Sequence, residues 1–368
     1  MEEIGIIGIG KLGLCFALNL EQSGFKVYGI DITPQYINQL KNKVYSSSEP
    51  LVNAYLIQAQ NFFPSDNISI LFEKNITDIF IMVATPSTKD GGYDHSQIER
   101  VTDELIQFGK QNETKNLYIG CTTMPGYCNQ LAQKMRPYNY TVSYNPEFIA
   151  QGAIIKNQQY PDQVLIGEAN DEAGNRLQYI HSKMTKNNPV YCRMDCLSAE
   201  ITKLATNCFL TTKISFANAI GDLAIKTGAD QAKILSAIGA DSRIGNKYLN
   251  HGFGFGGPCF PRDNRALDKF AKQNDFPLLI SEATDAVNKQ HFQFLLDAYL
   301  NKYKEGEIVE FDGVSYKKGS TLIDESQQLS LAIALAKNNR SVVIKDNKEV
   351  IEQVKSTCIG IPFTFIEV

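Results

Sequence analysis

The 368-residue sequence has no apolar run approaching the roughly 18 residues that a membrane-spanning helix needs, so no membrane association is expected. It also lacks a charge excess: 36 Lys and Arg stand against 40 Asp and Glu, and no basic block or stripe is present to follow a nucleic-acid backbone. Histidine is scarce, four residues in all, which gives a His-centred mechanism little support. Cys192 and Cys196 are spaced Cys-x3-Cys, but no second pair and no nearby His cluster completes a zinc site, so no metal is expected. Solenoid repeats and low-complexity segments are absent too, and the polar stretch Tyr45 to Pro50 reads as a plain loop. The first residues begin with two acids and carry glycines at strand-to-helix spacing, unlike a secretory leader. With eight scattered cysteines, they point to a reducing cytoplasm. What is left is an ordinary folded composition, 43% hydrophobic and 21% charged, in a chain long enough for two or three domains.

Short β-rich runs alternate with longer helical patterns in the first half. Strands are expected at Glu3 to Ile9, Lys26 to Ile30, Ser69 to Phe72, Ile79 to Ala84, Leu117 to Gly120, Thr141 to Ser143 and Gln163 to Gly167. That alternation implies an α/β unit, a parallel sheet with helices on its faces, reaching to about residue 195. Strand signals then vanish. Helices are expected at Leu197 to Thr227, Ala229 to Ala240, Arg262 to Asn274 and Leu278 to Tyr303, the first reading as a spine that links domains and supplies dimer contacts. Alternation resumes with strands at Glu307 to Phe311, Ser341 to Lys345 and Phe363 to Glu367, and helices at Gln327 to Lys337 and Glu349 to Lys355. This final stretch looks like half a doubly wound domain.

Gly8, Gly10 and Gly13 form G-I-G-K-L-G between an expected strand and an expected helix, the context a dinucleotide fingerprint requires. The first Gly permits the turn, the second lets a pyrophosphate approach the backbone, and the third lets strand and helix pack closely. Asp31 ends the second strand, where a carboxylate accepts hydrogen bonds from ribose hydroxyls and repels a 2′-phosphate, so NAD is favoured over NADP. Lys203 and Asn207 lie four apart in a helical run and project from one face, although a surface Lys with a polar neighbour is the ordinary reading of that spacing. The segment H-G-F-G-F-G-G-P-C-F-P-R-D, residues 251 to 263, makes a tight loop that delivers Cys259 to a helix start close to Arg262, where a thiolate is stabilised. Asp263, four residues on, suits a base or a water-holding group.

Together these segments resemble the UDP-glucose/GDP-mannose dehydrogenase family, most closely its UDP-glucose-oxidising members. The resemblance covers most of the chain: G-I-G-K-L-G, V-A-T-P (83 to 86), T-T-M-P-G (122 to 126), N-P-E-F-I-A-Q-G (145 to 152), the Lys203/Asn207 helix, S-R-I-G-N-K-Y-L (242 to 249), G-F-G-G-P-C-F-P-R-D (254 to 263) and Y-K-K-G (316 to 319). It implies an N-terminal Rossmann-like doubly wound sheet that binds NAD (1–196). A central long-helix dimerisation region carrying the catalytic Cys follows (197–303), then a shortened C-terminal Rossmann-like α/β domain for the nucleotide sugar (304–368). The implied reaction is a four-electron oxidation of a nucleotide-sugar C6 alcohol to the uronic acid through a Cys259 thiohemiacetal and thioester. UDP-glucose is the expected substrate. GDP-mannose, a UDP-N-acetylhexosamine, or a weakly catalytic or non-catalytic binding homologue are the alternatives.

By matching motif, the resemblance assigns Lys203 and Asn207 to the oxyanion and the sugar, Asp263 to proton transfer, Glu147 to the hydrolytic water and Thr123 to holding that water. The cofactor set is Gly8, Gly10, Lys11, Leu12, Gly13, Asp31, Thr85, Thr123 and Arg262. The substrate set is Phe148, Lys203, Asn207, Arg243, Tyr248, Gly256 and Lys317, with Arg243 reaching a neighbouring subunit's sugar in a homodimer. Two residues depart from the family pattern: Gln151 stands where N-P-E-F-x-x-E-G has Glu, and Asp324 stands where an Arg is usual. Only about three strands follow Tyr303, so part of the nucleotide pocket is expected to be missing.

Overall fold

The computed structural model describes residues 1–149 and 151–368 and divides into two compact units, Met1–Lys203 and Leu204–Val368. Ala150 of the N-P-E-F-I-A-Q-G motif lies outside the described residues.

The first unit is built on an eight-stranded sheet. Its strands are β1 (Glu3–Ile7), β2 (Lys26–Ile30), β3 (Phe62–Ser65), β4 (Asp78–Ile81), β5 (Lys115–Ile119), β6 (Tyr140–Tyr144), β7 (Gln163–Gly167) and β8 (Val190–Met194). Between them run α1 (Lys11–Gln22), α2 (Pro34–Lys41), α3 (Val52–Gln58), α4 (Ile70–Glu73), α5 (Ser96–Gln107), α6 (Tyr127–Met135), α7 (Ile154–Gln159) and α8 (Asp171–Met184). The spatial order β3-β2-β1-β4-β5-β6-β7-β8 reverses between β1 and β4, the place where a doubly wound sheet opens its ligand crevice. Strand alternation explains the two-faced core. Ile4 and Ile6 of β1, Phe80 of β4 and Tyr118 of β5 enter one apolar cluster, while Ile7, Ile79, Ile81, Leu117 and Ile119 enter the other. Burial on both faces is why these strands read as unbroken apolar runs.

Three sequence expectations are corrected here. Ser69 to Phe72 is not a strand: Ile70–Glu73 is the short helix α4, and the strand of that region is β3, seven residues earlier. Pro64 hid it, since Pro withdraws a ladder donor and is tolerated because β3 is a sheet edge. The sheet is also not wholly parallel, because β7 meets β6 antiparallel through Tyr144 and Gly167. An eighth strand, β8, follows parallel to β7.

Helix α9 (Cys196–Thr227) begins in the first unit and continues through the second. The second unit adds α10 (Gln231–Gly239), α11 (Phe260–Gln273), α12 (Leu279–Lys302), α13 (Gln327–Lys337) and α14 (Lys348–Thr357). Its three strands, β9 (Ile308–Asp312), β10 (Ser341–Asp346) and β11 (Phe363–Glu367), make a parallel sheet in the order β11-β10-β9. Val309, Phe311, Val342 and Ile344 pack with Leu331 and Leu335 of α13 and Val350 and Val354 of α14 to form its core.

Candidate functional site

In the first unit the three motif glycines take three different jobs. Gly8 turns the chain out of β1 with φ +92°, and a Cβ there would stand 2.7 Å from the Met82 carbonyl oxygen. At Gly13 a Cβ would meet the Gly8 carbonyl oxygen at 2.0 Å, so only glycine lets α1 lie this close to the turn. Gly10, which caps α1, has no atom within 4 Å of its Cβ position. That open cradle, with no acid in the first turn of α1 to oppose an anion, fits a pyrophosphate at the positive helix end. Beside it Asp31 follows β2, its backbone N–H held by Ser65 and its carboxylate accepting from the Thr33 N–H at 3.1 Å. The residues present thus fit a dinucleotide whose ribose meets a carboxylate.

Lys11 turns its ammonium to Gln151 Oε1 at 3.2 Å and to Glu49 at 3.5 Å. Glu49 lies in the stretch read from sequence as a plain loop. It is buried, and accepts from the backbone N–H of Gly152 at 2.7 Å and of Ile154 at 3.4 Å. A carboxylate therefore stands beside Lys11 although residue 151 is an amide.

Glu147 follows β6 in a loop fixed by its neighbour Asn145, whose Nδ2 donates to the Leu165 carbonyl at 3.0 Å and whose Oδ1 meets His181 Nε2 at 2.8 Å. Burial lowers the His181 pKa to about 4, so at neutral pH the ring is uncharged and donates that hydrogen bond. Burial also raises the Glu147 carboxyl to about 7, against the opposing pull of Lys203. Lys203 is itself buried, donates to the Glu147 carbonyl oxygen at 2.7 Å, and sits 4.3 Å from the Phe148 ring centre. Glu147, Phe148 and Lys203 are thus brought together from distant parts of the sequence. A cavity of about 20 Å³ lined by Asn145, Glu147, Phe148, Gln158 and His181 has room for one water.

Thr85 and Thr123 occupy the loops after β4 and β5. Thr85 Oγ1 donates to the Thr122 carbonyl at 2.8 Å, and Thr123 Oγ1 donates to Glu200 Oε1 at 2.9 Å. Glu200 was not singled out by sequence reasoning, yet it is fully buried and also takes the N–H groups of Gly126 (2.6 Å) and Cys128 (2.9 Å). Burial raises its pKa, with those hydrogen bonds pulling the other way. Its place one helical turn before Lys203 on α9 was the available signal.

In the second unit Asn207 Nδ2 donates to Asp263 Oδ2 at 2.5 Å, and both side chains are buried. Cys259 is the N-cap residue of α11, solvent-exposed, and its carbonyl accepts the Asp263 N–H at 2.9 Å. Arg262 occupies the first turn of the same helix. The preceding glycines are sterically required: a Cβ on Gly256 would meet the Glu325 carbonyl oxygen at 2.2 Å, and one on Gly257 the Tyr316 ring at 2.3 Å. Gly257 N–H also donates to the Asp324 carbonyl at 2.9 Å, so the backbone of the 324 segment supports the cysteine loop whatever side chain it carries. Lys317 lies over the Tyr316 ring at 5.6 Å. Tyr248 is half-exposed with φ +65° and its ring faces Phe260 at 6.2 Å. Arg243 stands apart, highly exposed and bound to Asp241 through Nε at 3.0 Å and Nη2 at 2.7 Å.

The NAD binding domain of the UDP-glucose/GDP-mannose dehydrogenase family matches residues 2–185, and the central domain of that family matches 197–290. The chain belongs to the UDP-glucose/GDP-mannose dehydrogenase family. Like the family, it is an NAD-dependent oxidoreductase acting on nucleotide sugars. A UDP-glucose 6-dehydrogenase of Rickettsia bellii (strain RML369-C) is 32% identical over 342 residues, 91% of this chain and 77% of that protein. The UDP-glucose 6-dehydrogenase YwqF of Bacillus subtilis (strain 168) is 31% identical over 346 residues, 90% of this chain and 77% of that protein. Among solved structures, a UDP-glucose dehydrogenase from the hyperthermophilic archaeon Pyrobaculum islandicum superposes with TM-score 0.89 at 26% identity, covering 100% of this chain and 86% of that one. Among the described residues no helix is long and apolar enough to cross a membrane.

Proposed function

We propose that this family member oxidises UDP-glucose to UDP-glucuronate in two hydride-transfer steps joined by a covalent intermediate on Cys259. The observation that carries this reading is Cys259 itself, the exposed N-cap thiol of α11, one helical turn from the Asp263 carboxylate that Asn207 holds. The choice of sugar nucleotide rests on the relatives named UDP-glucose 6-dehydrogenases at 31–32% identity. In this reading residues 1–196 hold NAD, 197–303 carry the thiol and a dimer surface, and 304–368 hold the nucleotide sugar.

Bound at Gly8, Gly10, Lys11, Leu12, Gly13, Asp31, Thr85, Thr123 and Arg262, NAD would supply the hydride acceptor for each of the two oxidations. The chain supplies the remainder. Asp263 accepts the C6 hydroxyl proton, directly or through water, while Asn207 keeps the carboxylate oriented. Lys203 and Asn207 donate towards oxygen that becomes negative as the alcohol turns to aldehyde and as the Cys259 sulfur adds to it. Loss of the second hydride converts the resulting thiohemiacetal into a thioester. Glu147, with a pKa near neutrality, then takes a proton from the water that cleaves the thioester, releasing the acid and the thiol. Phe148, Arg243, Tyr248, Gly256 and Lys317 contact the nucleotide sugar, Arg243 across the interface of a homodimer.

Coupled measurement of NADH and uronate with UDP-glucose tests the proposal. Two NADH per UDP-glucuronate are expected, and Cys259→Ala should abolish uronate formation. One NADH per sugar, or undiminished uronate from the alanine variant, would remove the covalent step. Preference for GDP-mannose or a UDP-N-acetylhexosamine in the same assay would overturn the substrate.

A further inference from the structure

Two of the four histidines, remote from one another in sequence, converge with an aspartate inside the second unit. Asp222 comes from α9, His291 from α12, and His251 from the start of the glycine-rich loop that leads to Cys259. Their ligand-capable atoms all lie within 4.8 Å of one another. His251 Nε2 is 2.8 Å from Asp222 Oδ1, and His291 Nδ1 is 2.8 Å from Oδ2 and 3.0 Å from Oδ1.

The second nitrogen of His291 fixes how that ring is used. Nε2 lies 2.5 Å from the Gly252 carbonyl oxygen, which can only accept, so Nε2 carries a hydrogen. A neutral ring then aims its Nδ1 lone pair at a carboxylate, and two electron-rich groups at that separation need a cation between them. A proton on Nδ1 would satisfy His291 alone. Convergence of a third donor, His251 Nε2, on the same carboxylate suits an ion with several coordination positions better than a single proton. A histidine whose far N–H rests on a backbone carbonyl is also the usual support for a metal ligand.

The surroundings are built around this cluster. Gly221 sits in the interior of α9, where glycine costs about 1 kcal/mol relative to alanine. A Cβ there would overlap the His251 ring at 2.2 Å, so the glycine makes room for that ring. Asn218, one turn earlier, accepts the Gly252 N–H at 3.0 Å and donates to the Phe253 carbonyl at 3.4 Å. Asn288 on α12 clamps Phe255 in the same two-handed way, at 3.0 and 3.1 Å. His291 is nearly fully buried, whereas Asp222 and His251 keep 14% and 10% of their side-chain surface accessible, which leaves a path for an ion and a water.

We propose that Asp222, His251 and His291 form a site for a divalent transition metal of the zinc class, which ties the loop leading to Cys259 to helices α9 and α12. Two imidazoles and a carboxylate with one position open to water match the ligand preference of such an ion.

The test uses the whole protein, stripped with EDTA and exchanged into chelator-free buffer. Titration with Co²⁺ should give one equivalent of binding with a visible ligand-field spectrum and no thiolate-to-cobalt charge-transfer band, reversed by Zn²⁺. Zn²⁺ should also raise the melting temperature. His251→Gln and Asp222→Asn should each weaken Co²⁺ binding by more than the ~10–100-fold that loss of a supporting outer partner costs, while Cys259→Ala binds as the native chain does. Circular dichroism verifies that each variant is folded, and if Asp222→Asn is not, His251→Gln decides. No stoichiometric Co²⁺ uptake by folded native protein overturns the site and leaves an ion-paired imidazolium. A charge-transfer band, or unchanged uptake by His251→Gln, overturns it equally. Neither readout uses a sugar nucleotide, so the result stands apart from the proposed reaction.

Discussion

Lys203 donates to the backbone carbonyl of Glu147 at 2.7 Å, so the cation holds the very loop whose carboxyl it also influences. Burial is the larger influence and holds that carboxyl at about 7. In the proposed mechanism the ionised form is the base, so kcat should rise with pH along a limb centred near 7. Glu147→Gln should flatten that limb and slow turnover by about 10²–10⁴-fold, the usual contribution of a general base. Rate profiles of the two proteins between pH 5 and 9 make the comparison.

The same group ties stability to pH. Its pKa is raised from 4.5 in the unfolded chain to about 7 in the folded one, so its contribution is full below pH 4.5 and is lost as pH rises through 7. Relative to the native protein, Glu147→Gln should therefore melt at a comparatively higher temperature at pH 8 than at pH 5. Equal differences at both pH values would contradict the buried carboxyl.

Two glycines of one motif should respond in opposite ways to a single methyl. Gly13→Ala drives Cβ into the Gly8 carbonyl and should cost about 1–3 kcal/mol, read as a lowered melting temperature. Gly10→Ala meets no atom of the fold, so it should melt normally and lose affinity for NAD, read by fluorescence titration.

Asp31 should govern the choice between NAD and NADP. Asp31→Asn removes a repulsion on the order of 1 kcal/mol towards a 2′-phosphate, so the preference for NAD in kcat/KM should fall about five- to tenfold. An unchanged preference would place the ribose elsewhere.

On α9, Phe209, Phe216 and Leu223 recur at seven-residue intervals and are 65%, 48% and 59% exposed. An apolar stripe of this kind suits a second copy of the same helix. Phe209→Glu combined with Phe216→Glu should yield monomers by sedimentation velocity, and with them a loss of activity if Arg243 serves the neighbouring subunit. A double variant that stays dimeric would exclude this face.

Local chemistry made much of this protein legible. The glycine fingerprint, the strand-end Asp31 and the continuous helix through Lys203 and Asn207 all carry their signal within a few residues. What escaped was either masked locally or assembled at a distance. Pro64 disguised the edge strand Phe62–Ser65, and a strand was read instead at Ser69 to Phe72, where the chain forms a four-residue helix. Glu49 sat in a polar stretch whose loop character hid its partners, more than 100 residues away at Gly152 and Ile154. Glu200 gained its role from the N–H groups of Gly126 and Cys128 at the start of α6. Asp222, His251 and His291 have no short spacing at all, and only the packing of α12 and the glycine-rich loop on α9 makes them neighbours.

Of the eight cysteines, Cys259 is the exposed one. Burial pushes the thiols of Cys15, Cys121, Cys196 and Cys208 up to about 12 and that of Cys128 well above its usual value. Cys192 and Cys358 are half-buried, so an electrophile added to the folded protein meets the Cys259 sulfur first. A mild alkylating reagent becomes a titrant, and the moles consumed before the slower sites react count the chains whose reactive loop is intact.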